Sequence, residues 1–562
     1  MSTLTLKQSP SPTADIDRAI ADLSASKSKL SKLSLAERRA LIEDCLARVL
    51  QLAPEWVEVA CEAKQIPAGS PLRAEEVAAG PVATARHLRL LVQNYQSLEK
   101  TGKIELPAPP VESPRGNLGV QVVPVKGLFD PIVFAGFKAT SWLKPGVTRQ
   151  DLDRLGERIK NPRPARTVLV LGAGNVSSIP PTDAISKIFQ EGQVVLLKMN
   201  PVNEYLGPIF QRLFAKLIDL GFVRIVYGGA ETGAAALAHS QVEEAHITGS
   251  IHSHDAIVWG PAGQERERRK RENDPLLKKP ITSELGNVSP WIVVPAAYSE
   301  KQLRFQAESV AASITNNASF NCVATKMIVT SKSWPQRRQF LDLVDEVLAK
   351  VPPRVAYYPG AQDRYCQFTG RSATSNELPW TLVRDADPAT APILFREESF
   401  VCVCGETALD AADERAFLKR AVEFANDQLW GTLAAALTVH PSFRRAAGGE
   451  EFFQQCVAEL RYGAVGVNHW PALIYAMMSP PWGGYPSGTL ANAQSGIGTV
   501  HNTFNLEGVE KTVLDGPIVI SPKPFWFPTH RRPEPIAWKV LALYGNPSVW
   551  KLPGLAVAAL GG

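Results

Sequence analysis

Residues 166–229 read RTVLVLGAGNVSSIPPTDAISKIFQEGQVVLLKMNPVNEYLGPIFQRLFAKLIDLGFVRIVYGG. Three apolar, β-branched runs, TVLVLGAG, GQVVLLKMN and VRIVYGG, alternate with the helix-like stretches DAISKIF and YLGPIFQRLFAKLIDLG. Strands that return after a helical crossover pair in parallel, so this alternation predicts repeated βαβ units and a helix-covered parallel sheet. Working outward, residues from about Asp15 to Leu98 place apolar side chains every three or four positions and predict helices. Val122–Thr148 is rich in β-branched and aromatic residues broken by Gly and Pro, which predicts a strand-and-turn arm. Strands and helices alternate again from Ile281 to about Val467, predicting a second α/β layer.

Two segments stand apart from this pattern. The run GQERERRKREND, within a 263–274 insert, has mixed charge and no apolar face, so it reads as a solvated surface loop and is given no function. From Ser521 the chain is dense in Pro and aromatic residues; Pro at that density disfavours long helices, and the rings need something to cover, so this end is expected to wrap over the folded body.

Composition narrows the classes of function. A chain of 562 residues, 45% hydrophobic, is long enough for several compact units. Its formal net charge of +5 is spread thinly, which argues against nucleic acid and for a small-molecule substrate. Seven scattered cysteines do not form a secreted disulfide framework. The start, MSTLTLKQSPSPTADIDRAI, lacks the basic and apolar regions of a signal peptide, and no transmembrane run is visible, so a cytoplasmic protein is expected.

Two residues carry candidate chemistry. Cys322, in FNCVATKMIV, follows the polar stretch NNASFN and precedes an apolar strand, where a thiol can face a cleft; a lone cysteine equally reads as a small buried hydrophobe. Glu284, in ITSELGNVSPWIVV, lies on a turn leading into a strand, with Gly286 allowing a tight backbone path; it reads either as a solvated carboxylate or as a base that draws a proton from water. Two metal-like patterns, His246 with His252 and His254, and Cys402 with Cys404, lack partnering ligands and predict no metal site.

The order and spacing of these segments resemble the aldehyde dehydrogenase superfamily from roughly Leu35 to Leu514. Glu284 and Cys322 match its ELGG-type glutamate and N-x-G-Q-x-C-type cysteine; GAGNVSSIPP resembles PWNFP and implies Asn175 as an oxyanion donor. LLKMNP resembles the strand end carrying the cofactor-binding lysine, here Lys198, 23 positions beyond Asn175. GGAETGAAAL, with Gly229 and Gly233, is similar to the turn under the adenosine, and HITGSIHSHDAI implies that Gly249 and Ser250 approach the pyrophosphate, an anion suited to a helix amino terminus. FREESFVCV resembles EEIFGPV and assigns Glu398 and Phe400 to the nicotinamide side; SPPWGGYPSG resembles SPFGGYKMSG.

The resemblance implies a Rossmann-type cofactor domain (1–118 and 162–282), an α/β catalytic domain (283–489), a small β oligomerisation arm (119–161 and 490–515) and a carboxyl-terminal extension (516–562). It implies oxidation of an aldehyde to a carboxylic acid with NAD or NADP, through a thiohemiacetal and thioester on Cys322 hydrolysed with Glu284 as base, in a homodimer or larger homo-oligomer. The alternatives are a coenzyme-A-dependent acyl-CoA reductase and a catalytically silent nucleotide-binding scaffold. The chain departs from the pattern at Pro201, where the carboxylate that binds the adenosine ribose and repels a 2′-phosphate is missing, so NADP is at least as plausible as NAD. Gly174, Asn287 and Phe320 also replace motif residues, and Trp470, Phe525 and Trp526 hint at an aromatic or long aliphatic aldehyde.

Overall fold

The computed structural model describes residues 7–561. Two sheets organise it. The six-stranded sheet runs in the order Gly496–Ile497, Ile281–Leu285, Glu244–Gly249, Thr167–Leu171, Val194–Lys198, Val223–Val226. Its five long neighbours are parallel, and the Thr167 strand, first in sequence, lies in the middle. Strand order therefore reverses between the Thr167 and Glu244 strands, and a crevice opens at their carboxyl ends, the usual ligand site of a doubly wound sheet. Asn175, Lys198, Gly249 and Glu284 all lie at or just beyond carboxyl ends of these strands.

The second sheet has ten strands. Parallel strands Pro290–Val293, Met327–Ser331, Val403–Leu409, Ala434–Thr438 and Ala464–Val467 form its body, and their near-continuous apolar burial is that of strands covered on both faces. The Val122–Thr148 region forms the antiparallel pair Leu118–Val123 and Lys138–Leu143, which joins this sheet through Val509–Asp515. Arm and catalytic strands are thus one hydrogen-bonded sheet, while Gly496–Ile497, from the segment assigned to the arm, pairs instead with Ile281–Leu285.

The amino-terminal helices Thr13–Lys32 and Leu35–Ala63 precede a continuous helical run, Arg73–Val77, Ala78–Val82 and Ala83–Thr101, whose middle turn is a π-bulge carrying Pro81. Ser34 starts the second helix with a full capping box to Glu37. Arg86, on the helical run, is buried with Asp130 of the arm: Nη1 and Nη2 donate to the two carboxylate oxygens at 2.7 and 2.8 Å, and Nη1 also reaches the Tyr544 hydroxyl at 3.0 Å. This bidentate pair ties helix, arm and carboxyl-terminal segment together.

Two expectations are corrected. The charged run is a helix, Gln264–Glu272, with no buried residue; ion pairs of Arg268 with Glu265 and Glu272, and of Arg269 with Glu265, support it at helical spacing. The Pro-rich end holds a twelve-residue helix, Glu534–Gly545, because Pro533 and Pro535 fall at its start, where no backbone N–H is needed. No helix among the described residues is long and apolar enough to cross a membrane.

Candidate active site

The loop that carries Cys322 begins where helix Glu300–Thr315 ends. Asn317, Ala318 and Ser319 all take left-handed backbone angles (φ 53°, 53° and 69°), a strained turn for residues with side chains. A buried polar network holds it. Asn317 Nδ2 donates to the carbonyls of Asn175 (2.9 Å) and Phe320 (3.1 Å), and its Oδ1 accepts from Lys64 Nζ (2.9 Å) and the Tyr357 hydroxyl (2.9 Å). Lys64 is neutralised by Glu76 at 2.7 Å. The strain is offset by these bonds, and Cys322 is presented at the loop's end, partly exposed, just before strand Met327–Ser331.

Glu284 lies within strand Ile281–Leu285 rather than on a turn, and its carboxyl and the Cys322 thiol are close enough to perturb each other's proton affinity. Trp482 Nε1 donates to Glu284 Oε1 at 3.0 Å. Burial, with Asp183 and Glu398 nearby, pushes the Glu284 carboxyl up to about 8. Burial and the charges of Glu284 and Glu398 likewise push the Cys322 thiol well above its ordinary range. Asp183 is itself held by His246 and His501, each 3.5 Å away. A thiol beside a carboxyl whose proton affinity lies near neutrality is a donor–acceptor pair: the carboxylate form can take the sulfur's proton and later water's.

Asn175, 7% exposed, spends one amide hydrogen on the Phe320 carbonyl (3.0 Å), two residues before Cys322. It therefore anchors the loop. Phe320, where the motif has glutamine, packs among Tyr357, Tyr358 and Phe400 at ring distances of 4.9, 5.5 and 5.8 Å.

The remaining sequence candidates surround the crevice. Lys198 closes strand Val194–Lys198, buried, and its Nζ has no hydrogen-bond partner among the described residues; burial lowers its proton affinity while Glu204 raises it. Gly229 caps helix Ala230–Ala238, where a Cβ would meet open space, and Gly233 lies in that helix against Leu171. Gly249 ends its strand and Ser250 caps helix Ile251–Trp259, accepting from Ser253 N. Glu398 presses on Gly286, where a Cβ would lie 2.0 Å from its Oε2, so the glycine serves close approach. Glu398 Oε1 is buried without a partner. An orphaned carboxylate oxygen, an unpartnered ammonium and two helix starts fit a dinucleotide, which carries ribose hydroxyls and a pyrophosphate.

Sequence reasoning missed Lys326, Trp482 and the Lys64–Glu76–Tyr357 support. Lys326 is buried, donates to Ser319 and the Val401 carbonyl, and is pulled down to about 8 by burial against the pull of Glu398. Two of these residues lie in motif-like segments, Lys326 in FNCVATKMIV and Trp482 in SPPWGGYPSG, where a lysine reads as solvated and an indole simply as apolar.

A thiol and a carboxyl thus lie together at the carboxyl edge of a parallel, dinucleotide-type sheet. Residues 156–354 match the model of the aldehyde dehydrogenase family. The fold is similar to that of a mutant aldehyde dehydrogenase C from Pseudomonas syringae complexed with NAD+ and octanal (18% identity, covering 92% of this chain and 91% of that one, TM-score 0.60). It is also similar to the aldehyde dehydrogenase KauB from Pseudomonas aeruginosa (18%, 91% and 89%, 0.58). A third likeness is the glyceraldehyde-3-phosphate dehydrogenase GapN from Methanocaldococcus jannaschii, complexed with NADP (14%, 91% and 96%, 0.58). The matched segment covers about a third of the chain, and the shared fold is that of the aldehyde dehydrogenases.

Proposed function

We propose that this protein oxidises an aldehyde to a carboxylic acid, with NAD or NADP as the electron acceptor. The observation that carries the reading is the proximity of Cys322 and Glu284, each perturbing the other's proton affinity, at the carboxyl edge of the six-stranded sheet. Glu284 accepts the thiol proton and the sulfur adds to the aldehyde carbon, with the free Asn175 amide hydrogen aimed at the developing oxyanion; such a donor contributes about 3 kcal/mol. A bound nicotinamide supplies the hydride acceptor. Lys198, the starts of helices Ala230–Ala238 and Ile251–Trp259, and Glu398 with Phe400 would hold it, and Pro201 leaves the adenosine side free of a carboxylate three positions after the lysine. The remaining thioester on Cys322 is hydrolysed by water that Glu284 deprotonates.

The alternative of acyl transfer to coenzyme A has no need of a base against the sulfur, and Glu284 stands there, which favours water as the acceptor. The retained constellation likewise disfavours a silent scaffold. We place the protein in the cytoplasm as a homo-oligomer, since the outer arm strand Val111–Glu112 is exposed at a sheet edge.

The test is reduced-nicotinamide absorbance with a panel of aldehydes, NAD and NADP, with and without coenzyme A. Turnover that needs no coenzyme A and is lost in Cys322→Ala is expected. Turnover only with coenzyme A, or none with any aldehyde, overturns the reading.

A further inference from the structure

A cavity of about 160 Å³ reaches Cys322 and Trp482 from the surface. One side is the helical run that carries Ala74, Ala78, Ala79 and Ala83. From Ala74 to Ala83 is nine residues, about 13 Å at the rise of a helix. Alanines along that length leave a groove, not a knobbed wall.

Three aromatic polar groups around the cavity are already hydrogen-bonded to the protein. Trp470 Nε1 donates to the Val323 carbonyl (2.7 Å), Trp482 to Glu284, and the Tyr475 hydroxyl pairs with Ser178 (3.2 Å), so these rings offer carbon surface inward. Glu75, at the rim, is held by Arg354 at 2.6 Å.

The opposite wall comes from the carboxyl-terminal segment. Phe525, Trp526 and Phe527 line the cavity, and the segment is pinned in place: Lys523 Nζ donates to Thr529 Oγ1 (2.6 Å) and Glu308 (3.2 Å), Thr529 donates to Glu308, and Phe527 stacks against Phe305 at 5.0 Å. Buried His530 is also on this wall; burial and Lys523 lower its proton affinity against the pull of Glu308.

We infer that the 525–530 segment is the specificity wall of the active site, and that the substrate is an unbranched, apolar aldehyde of medium to long chain. Its carbonyl sits at Cys322 and its chain runs between the alanine face and Phe525–Trp526. This rests on the aldehyde dehydrogenase reading above. A groove of about 13 Å takes about ten carbons at covalent bond lengths. Each methylene moved from water into it gains roughly fourfold in binding.

The experiment uses the full-length protein and straight-chain aldehydes from propanal to dodecanal. kcat/KM is expected to rise roughly fourfold per methylene to about ten carbons and then level off. Trp526→Ala is expected to lower the decanal-to-propanal ratio of kcat/KM at least tenfold, and Ala78→Met, which narrows the groove without touching the tail, to lower it as well. A flat chain-length profile, or variants that change propanal and decanal alike, overturns the inference. Decanal binding to Cys322→Ala, followed by tryptophan fluorescence, separates this from the catalytic reading. Saturable binding that weakens in the Cys322→Ala/Trp526→Ala double variant supports the wall even without turnover, and absence of binding overturns it.

Discussion

Replacing Glu284 by Gln removes one ionisable group and keeps an oxygen to accept from Trp482. In the fold this carboxyl sits at about 8, against 4.5 for an ordinary glutamate. Because the folded value is the higher, the protonated form contributes its full stability below pH about 4.5, and that stability is lost as pH rises through about 8. At 1.36 kcal/mol per unit, the wild type carries a penalty of about 3 kcal/mol at pH 7 and about 5 kcal/mol above pH 8. Relaxation and water entry make these upper figures. Glutamine carries no such penalty. Melting followed by scanning fluorimetry from pH 5 to 9 should find the variant and wild type close at pH 5, and the variant higher by several degrees at pH 8.5. A gap that does not grow with pH refutes the claim that Glu284 is buried at the cost of its charge.

The same electrostatics predict that turnover rises with pH through about 8, and that Trp482→Phe, which removes the N–H donor favouring the carboxylate, shifts that limb upward by about one unit, read from the kcat profile. Lys198→Ala should raise the cofactor KM roughly ten- to hundredfold while leaving the aldehyde KM near wild type, the loss of one charge-assisted bond. Arg86→Met should leave Asp130 buried and unpaired, costing about 3–5 kcal/mol and lowering the melting temperature.

Much of this was legible from residues 166–229, since strand runs broken by helices admit few arrangements, and the parallel sheet followed. Cys322 and Glu284 were legible as a pair because their motifs fix spacing. Their partners were not. Trp482, 198 positions from Glu284, reaches it only through the fold, and Lys64 meets Asn317 across 253. Strand Gly496–Ile497 is two residues long and has no alternation to read. The charged helix Gln264–Glu272 has no apolar stripe, so periodicity was silent although its ion pairs stand at helical spacing. In the carboxyl-terminal segment the density of proline masked where each one stands: Pro533 and Pro535 begin a helix instead of breaking it.

The central claim is that Cys322 forms the covalent intermediate and Glu284 releases it. Intact-protein and peptide mass spectrometry of Glu284→Gln, incubated with decanal or propanal and NAD or NADP, tests it most directly. The expected result is an added acyl mass on the Cys322 peptide, with one equivalent of reduced nicotinamide and no further turnover. An unmodified Cys322, or an adduct on another cysteine while reduced nicotinamide accumulates, would contradict it.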